Sequence, residues 1–338
     1  MAKVNKRYNL LIQLVILVVS YFFIINQVFW KQDLPALLRT IQQDLSSPKF
    51  LPVLSLILVL MILNWMLEAL KWKNLISKVE KVSLRRSLIA VLTGVTISSF
   101  TPNRVGEYFG RAFILKKASH VEGILITILG SMSQLMITVI TGSIALIVFI
   151  PAFMPDAGYF KGYLFYAFIV VVLMLDILLL ALFLNVSFLA GWKEKILSSR
   201  LSRIRKFFRV FTLYSNLELW SVLALSFARY IVFSTQYLLL LWMLGVNIPF
   251  YYGFLMISLI FFIMAVIPTI ALTELGIRGS VAIYFFSFYF SPLMTASAEL
   301  NLGIFMASVL LWVVNLGIPA IAGSIFLFRL QFFRNNEA

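Results

Sequence analysis

The segment 102–111 combines residue types that could bind a phosphate group. Pro102 cannot continue a helix before it but suits the first turn of a new one, so we expect a chain break with free N–H groups after it. Glu107 and Arg111 are four residues apart and can pair on one helix face. With Glu107 paired to Arg111, Arg104 is left without a local acid, so its guanidinium is available for a phosphate. We therefore predict substrate binding by Arg104 and Arg111, with Asn103 and Glu107 beside them.

Neighbouring residues agree with a break at this point. Thr101 is a possible helix N-cap, and Gly106 and Gly110 would let another backbone approach one helix face closely. A plainer reading is that the acid–arginine pair only braces the structure and that the remaining arginine only fixes membrane topology. We favour the binding reading, because irregular backbone at membrane depth is tolerated only if it is buried in protein or lines a cavity.

A second segment repeats the order of proline, acid and arginine. Pro268 is followed by Glu274 and Arg278 within a nearly uncharged stretch. Charged side chains at membrane depth cost several kcal/mol unless they are paired or face water, and they therefore mark a substrate pathway. We predict that Thr273, Glu274 and Arg278 also contribute to substrate binding. The alternative is a buried ion pair that holds a helical hairpin together.

Three more charges lie within or beside apolar runs. Asp176 and Arg229 fall near the middle of their runs and could pair across neighbouring helices or line a cavity. Glu68 is next to Lys71 near the end of its run, and we expect it at the membrane interface. All three are candidate coupling or cavity charges.

The composition is that of an integral membrane protein. Of 338 residues, 62% are hydrophobic and only 12% are charged, against about 25% charged in soluble domains. The net charge of +15 lies largely in short segments between apolar runs, so we expect no nucleic-acid partner. The absence of cysteine and the single histidine, His120, argue against a metal or thiol centre. We find no nucleotide-binding loop and no catalytic constellation, and expect neither an enzyme nor a cofactor.

The lengths of the apolar runs predict an all-α polytopic protein. About 20 apolar residues are needed to span the hydrocarbon core. Three shorter runs, at 88–100, 250–267 and 281–291, end at or just before prolines and are typical of half-helices or re-entrant segments. Six runs are long enough for full spans: 10–30, 50–70, 123–150, 162–190, 217–244 and 302–328.

The positive-inside rule orients these runs. Lys and Arg concentrate at the N-terminus and in 71–86, 103–117 and 191–209, which places both termini in the cytoplasm, although 31–49 carries three such residues on the opposite side. A re-entrant pair around 84–118 would then enter from the cytoplasm, and one around 250–291 from outside. We predict two inverted halves, 1–150 and 151–338, each with three full spans and one re-entrant pair.

The sequence resembles the lysylphosphatidylglycerol synthase transmembrane-region family of flippase-like proteins. The sequence PNRVGEYFGR at 102–111 is similar to the family's Pro-Gly-Arg-x-Gly-Glu-x-x-x-Arg motif, with Asn103 in place of glycine. KWK at 71–73 resembles its basic-Trp-basic segment after the second span, and 268–278 resembles its third, Pro- and Gly-containing segment. Some members append a soluble aminoacyl transferase domain. Because this chain ends at Ala338, we expect no synthase activity.

What the resemblance implies is a transporter that moves a lipid with a phosphate-bearing or charged headgroup between leaflets by alternating access. The expected partners are anionic or phosphate-bearing membrane lipids, with a partner enzyme or a second copy of the chain as further possibilities. The expected location is the bacterial cytoplasmic (inner) membrane. The alternatives are a small-solute or ion carrier with the same inverted layout, a lipid-linked glycosyltransferase, and a non-transporting partner subunit.

Overall fold

The computed structural model describes residues 50–99, 101, 104–154, 162–186, 209–267, 271–291 and 298–329, together with five isolated residues of the run 10–30. The side chains of 271–273 and 329 lie outside this description. All regular structure within the described ranges is helical. The helices are α1 (Phe50–Ile76), α2 (Leu84–Ser98), α3 (Gly106–Ala112), α4 (His120–Phe153), α5 (Tyr163–Leu184), α6 (Asn216–Met243), α7 (Phe250–Val266), α8 (Ala271–Phe290), α9 (Ala298–Trp312) and α10 (Ile318–Ser324), with short 3-10 turns at Arg209–Leu213 and Leu327–Arg329.

Five helical units are long and apolar enough to cross a membrane. They are α1, α4, α5, α6 and the unit Ala298–Ser324, in which a π-helical turn joins α9 to α10. These units match five of the six predicted full spans. The remaining predicted span, 10–30, lies mostly outside the described residues, and the five of its residues that are described are helical and exposed.

The helices of the predicted re-entrant pairs differ in length. In the first pair, α2 has 15 residues and α3 has 7, both too short to cross the hydrocarbon core. In the second pair, α7 has 17 residues, but α8 has 20 and is about 30 Å long. The sequence predicted an apolar run only at 281–291. The structure corrects this, because Glu274 and Arg278 lie inside the helix and extend it toward Pro268.

Glycines set the close packing of the first hairpin. A Cβ atom added at Gly110 would lie 2.6 Å from the Cα of Gly94, and one added at Gly106 would lie 2.6 Å from the carbonyl oxygen of Ile97. Backbone therefore packs directly on backbone between α2 and α3. The predicted role of Gly106 and Gly110 is confirmed.

The two hairpins pack at opposite ends of a frame formed by α1, α4 and α6. Near the C-terminal end of α1, Trp72 belongs to an apolar cluster that includes Ile89 of α2. Toward the other end of α1, Ile57 belongs to a second cluster that includes Ile260 of α7 and Phe286 of α8. Helices α4 and α6 divide between the same two clusters. The inverted membrane orientation and the cytoplasmic placement of both termini stay predictions.

Candidate functional site

The break of the first hairpin lies between α2 and α3. The hydroxyl of Thr101 accepts a hydrogen bond from the Gly106 N–H, the first of α3, at 2.9 Å. The N-cap residue of α3 is Val105, so the prediction that Thr101 occupies that position is wrong. Arg104 has a φ of 56°, a left-handed conformation that non-glycine residues adopt only when neighbouring contacts hold them there. Pro102 and Asn103 lie outside the described residues.

Arg104 pairs with an acid from the second hairpin. Its Nη2 lies 2.8 Å from Oε1 of Glu274, and 44% of the Arg104 side chain is exposed whereas Glu274 is buried. Arg278 donates to the same carboxylate oxygen, so the buried ion pair given above as the alternative is present within α8. The prediction that Arg104 has no acid partner holds only along the chain, because folding brings Glu274 to it. The Thr273 side chain lies outside the described set.

Glu68 is the centre of a second, buried cluster. Its carboxylate accepts from Arg111 Nη1 at 2.8 Å and Lys71 Nζ at 2.8 Å, and lies 3.0 Å from Arg229 Nη1. With 3% of its surface exposed, Glu68 is not interfacial, and that prediction is wrong. The sequence reveals only the neighbouring lysine, while α3 and α6 supply the two arginines that make burial of the carboxylate tolerable.

Arg111 lies between two carboxylates. It pairs with Glu107, as predicted from their spacing, and with Glu68. Only 1% of Arg111 is exposed. In this conformation the guanidinium therefore braces α3 against α1 and does not reach the central cavity.

The predicted pair between Asp176 and Arg229 does not form. Asp176 of α5 accepts a hydrogen bond from Ser143 of α4 at 2.5 Å. Arg229 turns the other way: its Nε donates to Asn64 at 2.9 Å, and its guanidinium lies 5.2 Å from the ring centre of Trp65. Arg229 donates to the Glu68 carboxylate and the Asn64 amide of α1 and not to the acid on α5.

A cavity of about 660 Å³ lies where the two hairpins meet the long helices. It brings together Arg104, Arg229, Glu274 and Arg278 of the predicted residues, whereas Glu68, Glu107, Arg111 and Asp176 are not among its lining residues. The polar lining also includes Asn64, Thr101, Gln134, Thr138, Tyr230 and Asn315, and the apolar lining includes Trp65, Leu135, Phe233, Phe261, Met264, Val266 and Trp312.

The amides of this wall were not among the predicted site residues. Asn64 donates to Asn315 at 3.0 Å, and Gln134 donates to the backbone carbonyl of Ser226 at 3.3 Å. Each amide is an uncharged polar residue inside a long apolar run. That pattern is the signal that could have found them, because a polar side chain in a membrane helix needs a partner on another helix.

The lining of the cavity includes exposed apolar side chains as well as charged ones. Leu135 of α4 is 49% exposed and Val266 at the end of α7 is 66% exposed, and both line the cavity. Charged groups and apolar groups therefore share one space. In the described part of the chain, no group of three or more His, Asp or Glu side chains could hold a metal ion.

The family model for the lysylphosphatidylglycerol synthase transmembrane region matches residues 10–316. The chain belongs to this family. The match includes both hairpins and every charged residue of the cavity wall, and it confirms the resemblance drawn from the three motifs. Neither the curated proteins nor the solved structures give a significant match. Family membership and the five apolar helical units together establish an integral membrane protein.

Proposed function

We propose that this protein moves a lipid with a phosphate-bearing headgroup between the two leaflets of a bacterial cytoplasmic membrane. One observation carries the proposal: Arg104, at the break of the first hairpin, pairs with Glu274, in the first turn of α8, at the wall of a shared cavity. Transporters commonly place their substrate site between such broken helices. The proposed role is transport, and it needs no catalytic step.

The charges of the wall suit a phosphate. Three arginines, Arg104, Arg229 and Arg278, line the cavity together with one acid, Glu274. Guanidinium groups match phosphate oxygens in geometry and can bind them through paired N–H donors. A phosphate on the substrate could therefore replace Glu274 as the partner of Arg104, whose side chain is the more exposed of the two.

The apolar part of the cavity favours a lipid over a soluble solute. Leu135 and Val266 line the same space as the arginines and are exposed on the surface of the apolar helices α4 and α7. A headgroup could occupy the charged part while its acyl chains stay against these side chains. A soluble anion would gain nothing from them.

In the proposed alternating access, the pair between Arg104 and Glu274 would break and form again. When a headgroup binds Arg104, the link between the hairpins is released, and the hairpins at opposite ends of the frame can move separately. The sequence offers no nucleotide-binding loop, so transport would run downhill or be coupled to an ion or to the membrane potential. Asp176 and Glu274 are the candidate proton carriers.

The test is a lipid-translocation assay in vesicles that contain the purified full chain. A fluorescent phospholipid is placed in both leaflets, and an impermeant reductant quenches only the label it can reach. We expect the protein to expose inner-leaflet label and Arg104→Gln to slow this exposure. Arg85→Gln is the matched control, because Arg85 is exposed at the start of α2 and does not line the cavity. Equal rates with and without protein would refute the proposal.

A further inference from the structure

We infer that the transported headgroup carries two negative charges, as a phosphate monoester does, and has no amine. This inference rests on the proposed function and specifies its substrate class. It follows from the charges of the cavity wall and from the polar atoms there that have no partner.

The described side chains that line the cavity carry a net charge of +2. Arg104, Arg229 and Arg278 supply three, and Glu274 removes one. All four side chains are wholly or partly withdrawn from solvent, and Glu274 and Arg278 are buried. In such surroundings an excess of charge is stabilised poorly unless an anion is present.

The cluster behind the wall does not supply the missing negative charge. There Glu68 and Glu107 face Lys71 and Arg111, and Glu68 also lies 3.0 Å from Arg229 of the wall. The wall and the cluster together therefore hold five cations and three acids, which leaves an excess of two positive charges that none of these acids balances.

Other described acids are occupied elsewhere. Asp176 is bound to Ser143 on the side of α5, and Glu80 pairs with Arg86 near the base of the first hairpin. None of these acids lines the cavity. A bound substrate is the remaining source of negative charge for the described wall.

Three buried polar atoms of the wall have no hydrogen-bond partner among the described residues. Arg278 Nε, Trp65 Nε1 and Trp312 Nε1 are buried and have no acceptor within the described structure. All three are N–H donors. Each is covered in this conformation, so an acceptor reaches it only after the side chain turns. A headgroup rich in oxygen acceptors would satisfy these donors, whereas an amine would bring only more donors.

Lipid headgroups differ in how well they match this wall. A phosphate monoester carries close to two negative charges near neutral pH, because its second pKa is about 6. A phosphodiester carries one charge and would leave one arginine without a counter-charge. An ethanolamine or aminoacyl headgroup adds a cation beside three arginines and is opposed by like-charge repulsion.

The experiment compares three fluorescent lipids with identical acyl chains in vesicles that contain the full chain: phosphatidate, phosphatidylglycerol and phosphatidylethanolamine. We expect translocation of phosphatidate to be fastest and that of phosphatidylethanolamine to be slower by about tenfold or more, since each unmatched charge acts in a medium of lower dielectric constant than water. Equal rates for the three lipids, or fastest movement of the amine lipid, would overturn the inference and leave lipid transport intact.

A variant tests whether the wall charge sets this preference. Arg104→Gln lowers the excess from two charges to one, so the ratio of the phosphatidate rate to the phosphatidylglycerol rate should fall severalfold. Arg85→Gln removes an exposed positive charge outside the cavity and should leave the ratio unchanged. An unchanged ratio in Arg104→Gln would contradict the assignment, and because it is a ratio, a general loss of active protein cannot mimic it.

An experiment with a water-soluble substrate distinguishes the proposed lipid transport from the inferred preference for a phosphate monoester. Uptake of radiolabelled glycerol 3-phosphate presents the same monoester without acyl chains. Uptake of this anion in vesicles that move no lipid would refute the proposed lipid transport while supporting the monoester chemistry. Lipid movement without such uptake supports both.

Discussion

Arg104 and Glu274 are 170 positions apart in the sequence, yet their side chains meet at 2.8 Å. Arg104 belongs to the break of the first hairpin, and Glu274 to the first turns of α8 in the second. Since the hairpins pack at opposite ends of the frame, this ion pair links them directly. Its strength therefore bears on stability and, under the proposed function, on transport.

The two partners of this pair should differ in their contribution to stability. After Arg104→Gln, Glu274 keeps Arg278 as a partner, whereas Glu274→Gln leaves both arginines without an acid. We expect Glu274→Gln to lower the thermal unfolding temperature in detergent more than Arg104→Gln does. The double variant should show a coupling energy of about 1 kcal/mol or less, because Arg104 is partly exposed. Equal shifts for the two single variants would mean that Arg278 does not support Glu274.

Much of the frame could be predicted from the sequence. Runs of apolar residues identify helices because each span must satisfy its backbone internally, and five of six predicted spans have described helices. The pair Glu107–Arg111 was predicted from helical spacing alone, and an ion pair between Glu274 and Arg278 was the alternative given for the second segment. These are local properties, and a single helix determines them.

The partners across helices could not be predicted in this way. Glu68 seemed interfacial because its only charged neighbour in the sequence is a lysine, and Arg229 was matched with Asp176 because both lie at mid-run. Which side chains form ion pairs depends on which helix faces meet. The sequence by itself does not contain that information. The meeting of Arg104 with Glu274 was missed for the same reason.

Removal of the charge on Glu68 should destabilise the protein strongly. Glu68→Gln leaves Lys71 and Arg229 without their carboxylate and Arg111 with one of its two, in a buried site. Removing one side of a buried ion pair costs about 3–5 kcal/mol, so we expect a large fall in the unfolding temperature or loss of folded protein. Glu299→Gln is the matched control, because Glu299 is exposed in the first turn of α9. A small effect of Glu68→Gln would show that the cluster is hydrated or that its lysine is neutral.

Glu80 should make stability depend on pH. Its burial raises the pKa of the carboxyl, but hydrogen bonds from the backbone N–H groups of Lys117, Ala118 and Lys116, together with Arg86, outweigh burial and hold the pKa below its ordinary value. This contribution is fully present above the unfolded-state pKa of about 4.3 and is lost as pH falls through the lower folded pKa.

The comparison that tests this is the unfolding temperature of the wild type and Glu80→Gln as a function of pH. We expect the wild type to be more stable at neutral pH, by about 1–3 kcal/mol for a carboxylate that accepts several hydrogen bonds. The difference should shrink as the pH falls below about 4. A difference that is constant with pH would mean that the amide simply fits this site less well.

Close packing of the first hairpin predicts a contrast between two glycines. Gly110→Ala would place a Cβ atom 2.6 Å from the Cα of Gly94, a contact with backbone that no side-chain rotation can relieve. The helices α2 and α3 would have to separate, and such overpacking costs about 1–3 kcal/mol or more. Gly276→Ala adds the same methyl group to α8 with no atom of the described residues within 4 Å, and should be neutral or slightly stabilising, because alanine favours a helix.

Translocation rates sharpen this comparison. Separation of α2 from α3 shifts the break that carries Arg104, so Gly110→Ala should slow lipid movement even in the fraction of protein that stays folded. Gly276→Ala should keep the wild-type rate, because the added methyl group meets no neighbour among the described residues. If Gly110→Ala lowers the unfolding temperature but moves lipid at the normal rate per folded molecule, the geometry of this break does not control transport.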